Sequence, residues 1–124
     1  MTSAPTLKMI SLDCSDVRAQ ARFWSELLGY PIAHVQDEYA MLVGSDGAPA
    51  VGFGQVEGFE PPAWPDPAGG KRFHFDLACD DVAAVEERAV ELGATLAEPQ
   101  PGETWRVLLD PAGHPFCLTA AANW

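Results

Sequence analysis

A chain of 124 residues has the length of one domain and can bury a core without disulfides or a structural metal. Its 18 acidic side chains against 7 basic ones give a formal charge of −11, which sets aside an electrostatic grip on nucleic acid or on an anionic membrane surface. The three cysteines, Cys14, Cys79 and Cys117, form no CxxC pair and suit a reducing compartment, and MTSAPTLKMI at the N-terminus has neither the charged head nor the apolar run of a signal peptide or membrane span, so a cytoplasmic protein is expected.

Residues 1–6 read as a polar tail. From Leu7 to Cys14 the side chains alternate, with Met9, Ser11 and Asp13 on one face and Ile10, Leu12 and Cys14 on the other, which predicts a half-buried strand. Ser15 or Asp16 can cap a helix in which Val17, Ala21, Trp24 and Leu28 recur at helical spacing until Gly29 stops it. Three short runs follow, 32–36, 39–43 and 50–56, with Gly44-Ser45-Asp46-Gly47 as a turn between the last two, and they predict an antiparallel meander. Val51, Phe53 and Gln55 share one face of its last strand. This first module, 7–56, is β-α-β-β-β.

The segment 57–70, EGFEPPAWPDPAGG, is too rich in proline and glycine for a regular element and reads as a linker. Its Phe59 and Trp64 favour a packed segment over a disordered one. Module two, 71–119, repeats the plan: a strand 72–79, a helix 82–92 capped by Asp80 or Asp81 and ended by Gly93, then strands 94–98, 105–109 and 115–119. At one constant offset Leu12, Cys14, Asp16 and Val17 recur as Leu77, Cys79, Asp81 and Val82, while Met9 meets His74. Two copies of a small module are thus expected within a single domain spanning 1–124.

The duplicated module, the stretch RFHFDL before a helix that ends in Leu-Gly, and DPAGHPFCL at Asp110 to Leu118 resemble the glyoxalase, bleomycin-resistance and extradiol-dioxygenase superfamily, the vicinal oxygen chelate proteins, and in particular its small glyoxalase-like branch. The resemblance covers nearly the whole chain. It implies an α+β fold in which two tandem βαβββ modules form a curled, cup-shaped mixed sheet with helices outside, a ligand on the concave face, and a homodimer.

The metal-dependent members of the superfamily take donors from the first and last strand of each module. Carried over, those positions are Met9, His74, Val51 or its same-face neighbour Gln55, and Cys117. Only His74 is an ordinary ligand, and a thioether is a weak donor to hard divalent ions. A catalytic metal is therefore not expected; a divalent ion, if bound, would be held by His74, Gln55 and Cys117. Without metal, His74 and Asp76, two apart on one strand face, are the candidate acid–base pair. Phe53, Trp64, Trp105, Tyr39 and Trp24 are candidates for stacking on a flat or cationic molecule, with Trp24 better placed as helix core.

The functional expectation is a small-molecule-binding protein with a pocket lined by Met9, Phe53, Gln55, His74, Asp76, Trp105 and Cys117. The alternative is a lyase, isomerase or dioxygenase using a divalent metal or the His74/Asp76 pair. His34 and His114 are expected at the surface.

Overall fold

The computed structural model describes residues 4–62 and 73–124, so most of the expected linker, Trp64 and the beginning of the expected strand 72–79 lie outside the described residues. The chain divides into two compact units between Phe59 and Glu60. In the first the order is β1 (Met9–Cys14), α1 (Val17–Leu28), β2 (Ile32–Val35), β3 (Tyr39–Leu42) and β4 (Ala50–Gln55). In the second it is β5 (Phe75–Cys79), α2 (Val82–Leu92), β6 (Thr95–Leu96), β7 (Trp105–Leu109) and β8 (Pro115–Ala120), followed by a 3₁₀ turn, Ala121–Asn123.

Each unit is a four-stranded mixed sheet with the same topology. The strand orders are β1-β4-β3-β2 and β5-β8-β7-β6, with the first strand parallel to the last and the rest antiparallel. The parallel pair is what the helix makes possible, because parallel neighbours need a long crossover between them. The fold is thus α+β with two βαβββ modules.

Local signals set the helix ends. The Asp16 carboxylate accepts from the backbone N–H groups of Arg18 and Ala19, each at 3.1 Å, so Asp16 and not Ser15 caps α1. Asp81 does the same for α2, accepting from Ala84 N–H at 3.1 Å. Gly29, at φ 73°, ends α1 in the left-handed region that glycine enters without steric cost.

Strand alternation sets the cores. In unit one the ladder pairs Ile10 with Val51 and Leu12 with Phe53, and on its other side Leu42 with Val51 and Ala40 with Phe53. Directly paired residues share a face. Ala40, Leu42 and Phe53 are fully buried, as are Val17, Ala21 and Trp24 of α1 but for about a hundredth of their surface. Phe23 meets Trp24 edge-on, with ring centroids 5.1 Å apart. Unit two buries Phe116, Leu118 and Leu108 in the same way, with Ala89 from α2. On that side the Arg106 guanidinium donates to the Glu86 carboxylate of α2 at 2.6 Å.

Strand β6 is shorter than the expected 94–98. The Gln100 side chain takes over beyond it, donating to the Ala97 and Val107 carbonyls at 2.7 and 2.8 Å and accepting from Val107 N–H at 2.8 Å. Among the described residues, no helix is long and apolar enough to cross a membrane.

The turn Asp110–His114 joins β7 to β8. Asp110 is 3% exposed, and its carboxylate accepts from the backbone N–H groups of Ala112 and His114, each at 2.9 Å. Gly113 sits at φ 91°, where a Cβ would also lie 2.4 Å from the Cβ of Pro61. Replacing Asp110 by alanine leaves two backbone donors without this acceptor, so Asp110→Ala is expected to lower unfolding stability by about 2 kcal/mol in urea titration. A loss under about 0.5 kcal/mol would show that the turn holds without its carboxylate.

Candidate functional site

Unit two turns one sheet face to α2 and leaves the other for chemistry. Strand register settles which residues occupy it: Asp76 of β5 pairs with Cys117 of β8, Cys117 pairs with Val107 of β7, and Trp105 pairs with Thr119. His74 lies two residues before Asp76 and joins the same face. Its Nε2 is 3.4 Å from the Asp76 carboxylate, and the two side chains are 21% and 44% exposed. Donor atoms of His74, Asp76 and Cys117 all lie within 4.8 Å of one another.

These three line a recess of about 390 Å³ that Thr104, Trp105, Thr119, Asn123 and Trp124 complete. Cys117 is 7% exposed and packs with Ala97 and Val107, with Trp105 against the cluster. The 3₁₀ turn brings in Trp124, whose indole N–H donates to Thr119 Oγ1 at 2.8 Å; Thr119 Oγ1 in turn donates to the Leu77 carbonyl at 3.2 Å. Thr104, Thr119, Asn123 and Trp124 were not among the expected site residues. Thr119 was readable from alternation, being two residues past Cys117, but nothing in the short tail after β8 signals that its last residue returns to the sheet.

The residues expected from module one are not gathered on one face. Met9 is 38% exposed and accepts a 3.6 Å hydrogen bond from the Tyr39 hydroxyl. It shares its face with Ser11 and Gly52, since a Cβ on Gly52 would sit 3.2 Å from both Met9 Sδ and Ser11 Oγ. Phe53 pairs with Leu12 and is fully buried in the core, on the opposite face. Gln55 pairs with Cys14, and its Oε1 accepts from the Val17 N–H at the start of α1 at 3.4 Å. The register also corrects the carried-over donor set: Gly52 pairs with Ser11 as Cys117 pairs with Asp76, so Gly52, not Val51 or Gln55, is the counterpart of Cys117. A shift of one residue along a strand changes the face, and that shift separates these assignments.

His34 is exposed on β2, an outer strand of its sheet, and the backbone N–H of His114 belongs to the closing turn. Cys79 points the other way from Asp76 and is 4% exposed. Burial pushes its thiol above the usual range, a backbone hydrogen bond at Thr119 partly opposes this, and the Asp80 charge adds to it, so Cys79 remains a protonated core thiol at neutral pH.

An imidazole, a carboxylate and a thiol beside an indole can hold a polar group, pass a proton to it, or coordinate a cation. Comparison with known proteins agrees with the fold around this site. Among curated proteins none matches the chain. Among solved structures, a glyoxalase/bleomycin resistance protein/dioxygenase family enzyme from Burkholderia phytofirmans PsJN is similar at 21% identity, over 92% of this chain and 97% of that one, with a TM-score of 0.68. A glyoxalase-related enzyme from Fulvimarina pelagi is similar at 21% identity, over 98% and 91%, with a TM-score of 0.69. The bleomycin-binding protein of bleomycin-producing Streptomyces verticillus, solved with copper(II)-bleomycin, is similar at 18% identity, over 97% and 98%, with a TM-score of 0.58. The glyoxalase-like domain family matches residues 9–119, nearly the whole of both units, and the chain belongs to that family.

Proposed function

We propose that this protein binds an organic small molecule in the unit-two recess, without a catalytic metal. The observation that carries the reading is the recess itself: about 390 Å³, with His74, Asp76 and Cys117 converging beside the Trp105 indole. Pockets for small organic ligands have this size, and here two indoles stand among several polar side chains. The Streptomyces verticillus protein offers a precedent for an organic ligand on the same fold. His74 and Asp76 hold a ligand carbonyl or amine in place; in an enzyme they would also move a proton beside it. Screening a panel of aromatic and aliphatic amines, acids and carbonyl compounds by calorimetry tests the reading. His74→Ala is expected to weaken whatever binds by about tenfold or more while leaving stability within about 1 kcal/mol, as for a polar wall residue outside the core. Binding that is indifferent to His74→Ala would place the ligand elsewhere.

A second reading is favoured by the donor cluster. The four-donor arrangement of the metal-dependent relatives does not fit here, since Met9 offers a thioether and Gly52 no side chain. Nitrogen, oxygen and thiolate donors from His74, Asp76 and Cys117 would suit zinc with a position left open, where the ion would polarise a ligand oxygen. Elemental analysis of protein purified without chelator decides between the readings. The metal-free reading expects less than about a tenth of an equivalent of zinc. Stoichiometric zinc that disappears in both His74→Ala and Cys117→Ser would establish the metal centre instead.

A homodimer accompanies this proposal. Strand β2 ends its sheet with Ile32 46% exposed, and Val43, just past β3, is 44% exposed; a second copy could cover such an apolar edge. Sedimentation velocity at micromolar concentration should then give twice the 13.3 kDa chain mass, and a clean monomer would remove the dimer while leaving the recess.

A further inference from the structure

Trp105 and Trp124 line the same recess from different elements, and each indole is held by a separate device. Trp105 lies against Gly102 so closely that a Cβ there would come within 2.3 Å of ring carbon Cη2, and it packs on the Ala97, Val107 and Cys117 cluster while staying only partly buried. Only a residue without a side chain allows that ring position. Trp124 is 74% exposed, far more than an indole placed for packing would be, yet its N–H is tied to Thr119 and Thr119 to the Leu77 carbonyl. A large aromatic face is thus presented to solvent at the mouth of a recess with its polar atom already satisfied. At the same recess the Asp76 side chain is 44% exposed, in a chain of formal charge −11.

From this arrangement we infer the ligand class: a planar aromatic ring carrying an amine or other cationic N–H donor, with the ring against the Trp105 and Trp124 indoles and the donor at Asp76. The inference rests on the reading that the recess is the binding site. Indole faces favour flat rings and cations, and a carboxylate favours a donor over an acceptor. A saturated ring of similar bulk loses the first preference and an aromatic acid loses the second, so the two parts can be tested separately.

The probes are 1-naphthylmethylamine, cyclohexylmethylamine and 1-naphthoate, titrated calorimetrically into the full chain. The naphthyl amine is expected to bind about tenfold tighter than either of the others. Trp124→Ala, which removes an exposed side chain, should cut the preference over cyclohexylmethylamine to less than about threefold, and Trp124→Phe should restore part of it. Asp76→Asn should abolish the preference over naphthoate and leave the ring preference in place. Equal binding of the naphthyl and cyclohexyl amines, or a ring preference unchanged in Trp124→Ala, would overturn the indole clamp, as would failure of all three probes to bind. Where the clamp fails but binding of any compound is still weakened by His74→Ala, the recess stands as the site and only the ligand class is wrong. Where His74→Ala changes nothing, the site itself is misplaced.

Discussion

The parallel pairing of β5 with β8 is the constraint on which the candidate site depends. It sets Asp76 directly beside Cys117, and His74, just before β5, joins them with its donor atom within 4.8 Å of theirs. Slipping that pairing by one residue would set Asp76 beside Phe116 or Leu118 and break up the group. Two features hold the register. Phe75, Leu77 and their partners Phe116 and Leu118 occupy the helix side, where exchange with Asp76 or Cys117 would bury charge and expose large apolar surface. The β7–β8 turn, fastened by the buried Asp110 carboxylate, determines where β8 starts.

That turn connects a sequence signature to a site several residues away. In DPAGH the aspartate accepts two backbone N–H groups, the glycine takes a positive φ against Pro61, and β8 then runs from Pro115 with Cys117 as its third residue. The stretch that carries the family likeness is therefore the stretch that positions the thiol.

Much of this was legible in the sequence because it follows from local rules. The helix from Val17 to Leu28 could be placed by its apolar spacing and by the glycine after it, and the face shared by His74 and Asp76 by strand alternation. What was not legible depends on pairing between distant strands. Alternation shows that Val51, Phe53 and Gln55 share a face, but only the register of β4 against β1 shows that the face belongs to α1, with Phe53 in the core and Gln55 at the helix start. The Trp124 placement had even less of a signal, since it depends on one indole N–H reaching a threonine hydroxyl at the end of a short turn. Trp105 was expected as a wall, but the reason its ring fits, the missing side chain of Gly102, is a contact three residues back in a loop.

The two units, matched by register, share what the fold requires and differ at the candidate site. Both have the same strand order, an aspartate cap on the helix, a glycine after it, and a buried cysteine ending the first strand, at Cys14 and Cys79. On the face away from the helix they differ at three paired positions. Unit two carries His74, Asp76 and Cys117 where unit one carries Met9, Ser11 and Gly52. A side chain on Gly52 would press on Met9 and Ser11, so in unit one the thioether and hydroxyl already occupy the space that Cys117 fills in unit two, and the Tyr39 hydroxyl holds the thioether there. A neutral sulfur, a hydroxyl and a glycine can shape a surface but neither titrate near neutral pH nor grip an ion strongly. At these three positions the titratable groups lie in unit two, while the carboxylate that unit one carries further along the same face, Asp13, stands next to Gly54 without an imidazole or thiol beside it in the ladder.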